Sequence, residues 1–126
     1  MTDCPNCGRP ADGPLVECFC RQCLREIDAE ARPLIFALNR LPGITTVESC
    51  CGHGSEHFRI WFEVSLYEKA GLTAIEAAIA HEDWPNGERW RVYHTQMAYF
   101  TWILESADVG PHVIGQSRLL ARHLVG

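Results

Sequence analysis

The sequence predicts an α+β fold in which a four-stranded, mostly antiparallel sheet carries helices on one face. Three observations lead there. FRIWFEV (58–64) alternates apolar and polar residues, the period of a strand buried on one side only. Segments with helical spacing precede two separate pairs of strand-like segments, so the order helix–strand–strand occurs twice before a closing helix. Residues 1–25 differ in composition, punctuated by Cys, Pro and Gly, and read as a small module ahead of a domain spanning 26–126.

Taken in order, LREIDAEARPLIFALNRL (24–41) is helical, with Leu34, Ile35, Leu38 and Leu41 on one side. Pro33 cannot sit deep in a helix, so the helix begins or bends there, and Pro42-Gly43 ends it. ITTVESC (44–50) is β-branched and extended, and the glycine-rich CGHGSEH turns the chain into FRIWFEV. A second helix spans about 72–81, with Thr73 and Glu76 spaced as a capping box. DWPNGE (83–88) is a turn by composition. ERWRVYHT and AYFTWILES are two further strands, joined near Gln96 and Met97. Gly110-Pro111 opens the last helix, where Val113, Ser117, Leu120 and Leu124 share a side and Gly115 lowers the propensity.

The chain of 126 residues has 47% hydrophobic and 21% charged residues, a globular balance, and a formal charge of −5. That charge argues against general nucleic-acid affinity, which needs a basic surface to release counterions. MTDCPNCGRP lacks a basic and an apolar leader region, and no run of about 18 apolar residues occurs to span a membrane. A reducing cytoplasmic setting is expected, where seven cysteines point to metal binding or buried thiols before disulfides.

Cys4-Pro-Asn-Cys7-Gly is a metal knuckle by its local pattern. Two thiolates three positions apart grip one ion only if the chain turns tightly, and Gly8 permits that turn while Pro5 stiffens it. Cys20-Arg-Gln-Cys23 supplies a matching pair after twelve intervening residues, with PLVEC as a short strand between them. The expectation is one structural zinc ion held by Cys4, Cys7, Cys20 and Cys23, with Cys18 as an alternative to Cys20. The order resembles zinc-ribbon modules over about residues 1–25. Redox-active or simply buried thiols are the competing reading.

Ser49-Cys50-Cys51-Gly52-His53-Gly54, with Glu56 and His57 beyond it, joins two strands and could present side chains and amides to a ligand. Three readings stand side by side. Cys50, His53 and His57 form a second metal site, with Glu56 or Glu105 as general base. Alternatively Ser49, Cys50, His53, His57 and the loop amides hold a small anionic or nucleotide ligand. In the third reading the two cysteines are packed thiols in a plain hairpin turn.

LNRLPGITTVESCCGHG followed by FRIWFEV resembles a family of small proteins, many of them from bacteriophages and prophages. Their shared pattern is a helix ending in Leu-Pro-Gly, a Thr-containing strand and then Ser-Cys-x-Gly-His; LESADVGPHVIGQSRLLARHL is similar to that family's closing strand and helix. The resemblance covers about residues 34–64 and 99–124, and implies no activity. A second similarity is to the wybutosine-forming tRNA methyltransferases, which have Ser-Ser-Cys-Ser-Gly-Arg after a comparable helix and strand. This chain is much shorter and has His53 where they have arginine, so neither methyl transfer nor a methyl-donor cofactor is carried over.

Trp61 and Arg59 share the polar side of their strand, an arrangement able to stack a base, although packing against the zinc module or a subunit is the commoner use of such a tryptophan. Trp84, Trp90, Trp102, Tyr93 and Phe100 read as core or interface, and His81 and His123 as solvated groups near helix ends. His94 shares a strand face with Trp90 and Val92. No phosphate-loop, dinucleotide or nucleophile-elbow motif is present. The expectation is therefore a small zinc-binding protein of the cytoplasm acting through the SCCGHG loop. Its partner would be a nucleotide-like ligand, a nucleic acid or a host protein. A small metal-dependent enzyme and a zinc-ribbon assembly protein are the alternatives.

Overall fold

The computed structural model describes residues 2–4, 6–8, 10–11, 27–81, 89–95 and 101–125. Two short strands, β1 (Thr2–Asp3) and β2 (Pro10–Ala11), pair antiparallel on either side of the Cys4–Gly8 turn. A 3₁₀ turn (Ala29–Ala31) leads into α1 (Arg32–Asn39). Then follow β3 (Ile44–Cys50), β4 (His57–Val64), α2 (Ala70–His81), β5 (Arg91–His94), β6 (Thr101–Val109) and α3 (His112–Val125). The four longer strands form one sheet in the order β3-β4-β6-β5, antiparallel throughout. No helix among the described residues is long and apolar enough to cross a membrane.

The alternation in β4 sets the layers. Phe58, Ile60, Phe62 and Val64 are all buried, and they join one core with Leu34, Ile35 and Leu38 of α1, Ile75 and Ile79 of α2, and Val113 and Leu120 of α3. Full burial of side chains of this size is worth about 1.5–3 kcal/mol each, so this face supplies most of the driving force. Trp90 closes one end, 5.4 Å from Phe58 between ring centres, and its indole N–H donates to Gln116 Oε1 at 2.7 Å.

Local chemistry explains the helix boundaries. Pro33 lies in the first turn of α1, where its missing N–H costs nothing, and the segment before it tightens to 3₁₀ instead of continuing as one bent helix. The second helix begins at Ala70, earlier than the expected start at 72. Glu68 Oε1 accepts the Ala70 amide at 2.9 Å, while Thr73 Oγ1 donates to the Lys69 carbonyl from inside the helix, so Thr73 and Glu76 are not its capping box. Gly43, at φ 80°, ends the α1–β3 connection; a Cβ there would collide with the Glu68 carbonyl oxygen.

The strand β3 carries a bulge. Thr46 pairs with Phe62 and Glu48 with Trp61, so Val47 is an extra residue and both Thr46 and Val47 are buried. Beyond it the strand is out of phase: Ser49 lies opposite the buried Ile60, and Cys50 opposite Arg59. Cys51, next along, joins the core at 4% exposed. The β6 strand is also irregular, since His57 pairs with Val109 but Arg59 with Glu105. There Ser106 Oγ accepts the Phe58 amide at 2.9 Å and donates to the Asp108 carbonyl at 2.7 Å.

The Cys4–Gly8 turn is docked on this domain. Cys4 and Cys7 are buried, the Gly8 amide donates to the Cys4 carbonyl at 2.8 Å, and Gly8 sits at φ 75°. A Cβ on Gly8 would lie 2.8 Å from Phe36 Cγ, so glycine serves both the turn and the contact with α1. Asn39 fixes the other side. Its Nδ2 donates to the Cys7 carbonyl and to Thr46 Oγ1, and its Oδ1 accepts the Thr46 amide, all at 2.8 Å. Cys18, Cys20, Cys23 and the PLVEC segment lie outside the described residues, as does the turn at 83–88.

Candidate functional site at the loop end of the sheet

The β3–β4 loop, the start of α1 and the end of β6 meet at one end of the sheet. The loop backbone is unusual: Gly52, His53 and Gly54 have φ of 84°, 48° and 81° in succession. Two glycines tolerate this readily, whereas His53 carries a cost of about 1–2 kcal/mol for a left-handed L-residue. Ser55 and Glu56 amides both donate to the Gly52 carbonyl, at 3.0 and 2.9 Å, and a Cβ on Gly52 would strike the Glu56 carbonyl oxygen.

This bend turns His53 back over Cys51. Cys51 Sγ lies 3.7 Å from His53 Nδ1, and His53 Nε2 lies 3.5 Å from Asp28 Oδ2. The Cys51 amide donates to the same Asp28 oxygen at 3.1 Å, pinning the carboxylate to the loop. Burial pushes the Cys51 thiol above its usual range, opposed by a backbone contact at His53 and reinforced by the Asp28 carboxylate. One donor atom from each of Asp28, Cys51 and His53 lies within 4.8 Å of the others, and among the described residues this is the one group of three or more metal-ligating side chains so gathered.

Loop spacing alone predicts different partners for His53. Cys50, His53 and His57 are not brought together. The bulge at Val47 sets Cys50 opposite Arg59, on the face away from the core, and His57 is held by β6, its Nδ1–H donating to the Ser106 carbonyl at 2.8 Å. Ser49 faces Ile60 across the ladder. Asp28 is 23 residues from Cys51, beyond the reach of local spacing. The available signals were an aspartate just ahead of a proline-started helix and the Cys-x-His spacing of 51–53.

On the sheet face opposite the core, pairing aligns Cys50, Arg59, Glu105 and Arg91 in a row across all four strands, with Glu48, Trp61, Ile103 and Tyr93 in the next. Glu105 is 1% exposed. Arg59 Nε donates to its Oε2, Arg91 Nε donates to Oε1 at 2.8 Å, and Tyr93 donates to Oε2 at 3.3 Å. Burial alone would raise the Glu105 carboxyl, but the hydrogen bonds and charges of Arg59 and Arg91 outweigh it and hold it below the usual range. Tyr93 is pushed the other way, by burial and by the Glu105 carboxylate, which keeps its hydroxyl protonated and donating. Glu105 is thus a saturated, ionised anchor and not a general base. The two guanidiniums it holds keep side-chain exposures of 36% at Arg59 and 63% at Arg91.

No protein-family model, no curated protein and no solved structure matches the chain.

Proposed function

We propose that the chain is a small cytoplasmic binding module whose N-terminal segment is a zinc ribbon, with one structural ion held by Cys4, Cys7, Cys20 and Cys23. Its ligand is a compact, nucleotide-like anion taken up on the row beside the SCCGHG loop. The observation that carries the ligand reading is the pair of arginines, Arg59 and Arg91, fixed in place by the buried Glu105. A guanidinium has five donors, and those not spent on the anchor suit phosphate oxygens. Trp61 and Tyr93 in the adjoining row offer aromatic surface for a base. The net charge of −5 favours a small ligand over a polymer, which would need a wider basic surface. Two buried cysteines around a glycine turn support the zinc reading of residues 1–25.

Titrating the full chain with the four ribonucleoside monophosphates and with inorganic phosphate, followed by tryptophan fluorescence, tests this. At least one nucleotide is expected to saturate, more tightly than phosphate, and Arg91→Ala to weaken it tenfold or more. No saturable response to any nucleotide would end the proposal.

A host-protein partner is the second reading, and one feature favours it. A groove between α1 and α3 has an apolar floor that includes Pro33, Phe36 and Ala121 and is bordered by Arg40, Arg118 and Arg122. That combination suits an acidic amphipathic segment.

A further inference from the structure

We infer that Asp28, Cys51 and His53 form a second metal site, distinct from the N-terminal cysteine pairs, for a divalent ion of the zinc class. The three donors come from two segments that the fold brings together at the mouth of the β3–β4 loop. One donor atom from each of the three lies within 4.8 Å of the others; Cys51 Sγ stands 3.7 Å from His53 Nδ1 and Asp28 Oδ2 stands 3.5 Å from Nε2, and one of these two nitrogens is the imidazole donor. Donors bonded to one tetrahedral zinc at ~2.0–2.3 Å stand roughly 3.3–3.8 Å apart. The donor types select the ion: a thiolate and an imidazole suit zinc or cobalt and not calcium or magnesium, which take oxygen.

The backbone argues for the same conclusion. A hairpin turn alone does not need three successive left-handed residues with a histidine in the middle, yet that bend is what returns the imidazole to Cys51 and Asp28. The Cys51 amide on Asp28 Oδ2 orients the carboxylate before any ion arrives. Access is open on one side, since the His53 side chain is 66% exposed while Cys51 is buried. On binding, the Cys51 thiol releases its proton to solvent as the metal–sulfur bond forms, and one His53 nitrogen gives its lone pair. Among the described residues three protein donors meet there, and a tetrahedral ion has a fourth position for a further donor.

The test is the metal content of the purified full chain, produced with zinc and, separately, exchanged with cobalt. His53→Asn is the decisive variant, because asparagine accepts the left-handed backbone and the side chain is exposed. The expected result is one equivalent fewer of bound metal per chain in His53→Asn and in Cys51→Ser, with His112→Asn unchanged. Cobalt absorption from the lost equivalent should carry a single-thiolate signature. If His53→Asn keeps its circular dichroism and the same metal content as the parent, the inference is overturned. The same holds if all bound metal is lost on Cys4→Ser alone.

Discussion

Asn39 and Glu105 are both buried polar side chains, and each is the hub of its neighbourhood, but they are satisfied in different ways. Asn39 is neutral and spends its amide on the Cys7 carbonyl and on both the hydroxyl and the amide of Thr46. Glu105 is charged and is met by side chains from both flanking strands, Arg59 on β4 and Arg91 and Tyr93 on β5. The neutral hub therefore fixes how the N-terminal turn docks on α1 and β3. The charged hub fixes which strands flank β6, and holds two cations at the surface while doing so. A buried amide stabilises one arrangement quietly. A buried carboxylate makes an arrangement that depends on pH and leaves charge for a ligand to use.

The largest expected effect comes from Glu105→Gln, which keeps the shape and removes the charge. Breaking a buried pair costs about 3–5 kcal/mol, and the lower end applies because both arginines remain partly in water; urea unfolding measures it. The pH dependence follows the same group. Its folded pKa is depressed, so its contribution is complete above the unfolded carboxylate value of about 4.3 and is lost as pH falls through the lower folded value. Acid unfolding of the parent should be steeper than that of Glu105→Gln, and equal slopes would break the contrast between the hubs.

Asn39→Ala comes next, at about 2 kcal/mol, because it strands the Thr46 amide and the Cys7 carbonyl. Its cost should not change between pH 4 and 7. Thr46→Val removes one acceptor from an amide that keeps its second bond to Cys7, so about 1 kcal/mol is expected. Gly115→Ala is the smallest change and opposite in sign. The position is helical with open space around a new Cβ, so the substitution should stabilise by about 0.5–1 kcal/mol and raise the melting temperature.

The sheet was legible because its central strand alternates without interruption, and Phe58, Ile60 and Phe62 are the fully buried residues that pattern names. Pro33 and Gly110-Pro111 marked helix starts for the reason proline usually does. The site was less legible. A bulge has no signature in ITTVESC, and one extra residue exchanges the faces of everything after it, which is why Cys51 and not Cys50 meets His53. Asp28 and Glu105 could not be assigned from local spacing, since their partners lie on other elements. Glu105 in particular reads as a candidate base until Arg59 and Arg91 are seen on it.

The offset at Val47 also bears on how copies of the protein meet. In the sheet order the outermost strands are β3 and β5, and an outer strand exposes a row of amides and carbonyls that another molecule can extend into a shared ribbon. One of these strands is interrupted midway and the other is four residues long. Among the described residues neither offers an intermolecular neighbour a long flat ladder, so the bulge that delivers Cys51 to its partners also shortens the edge open to strand addition.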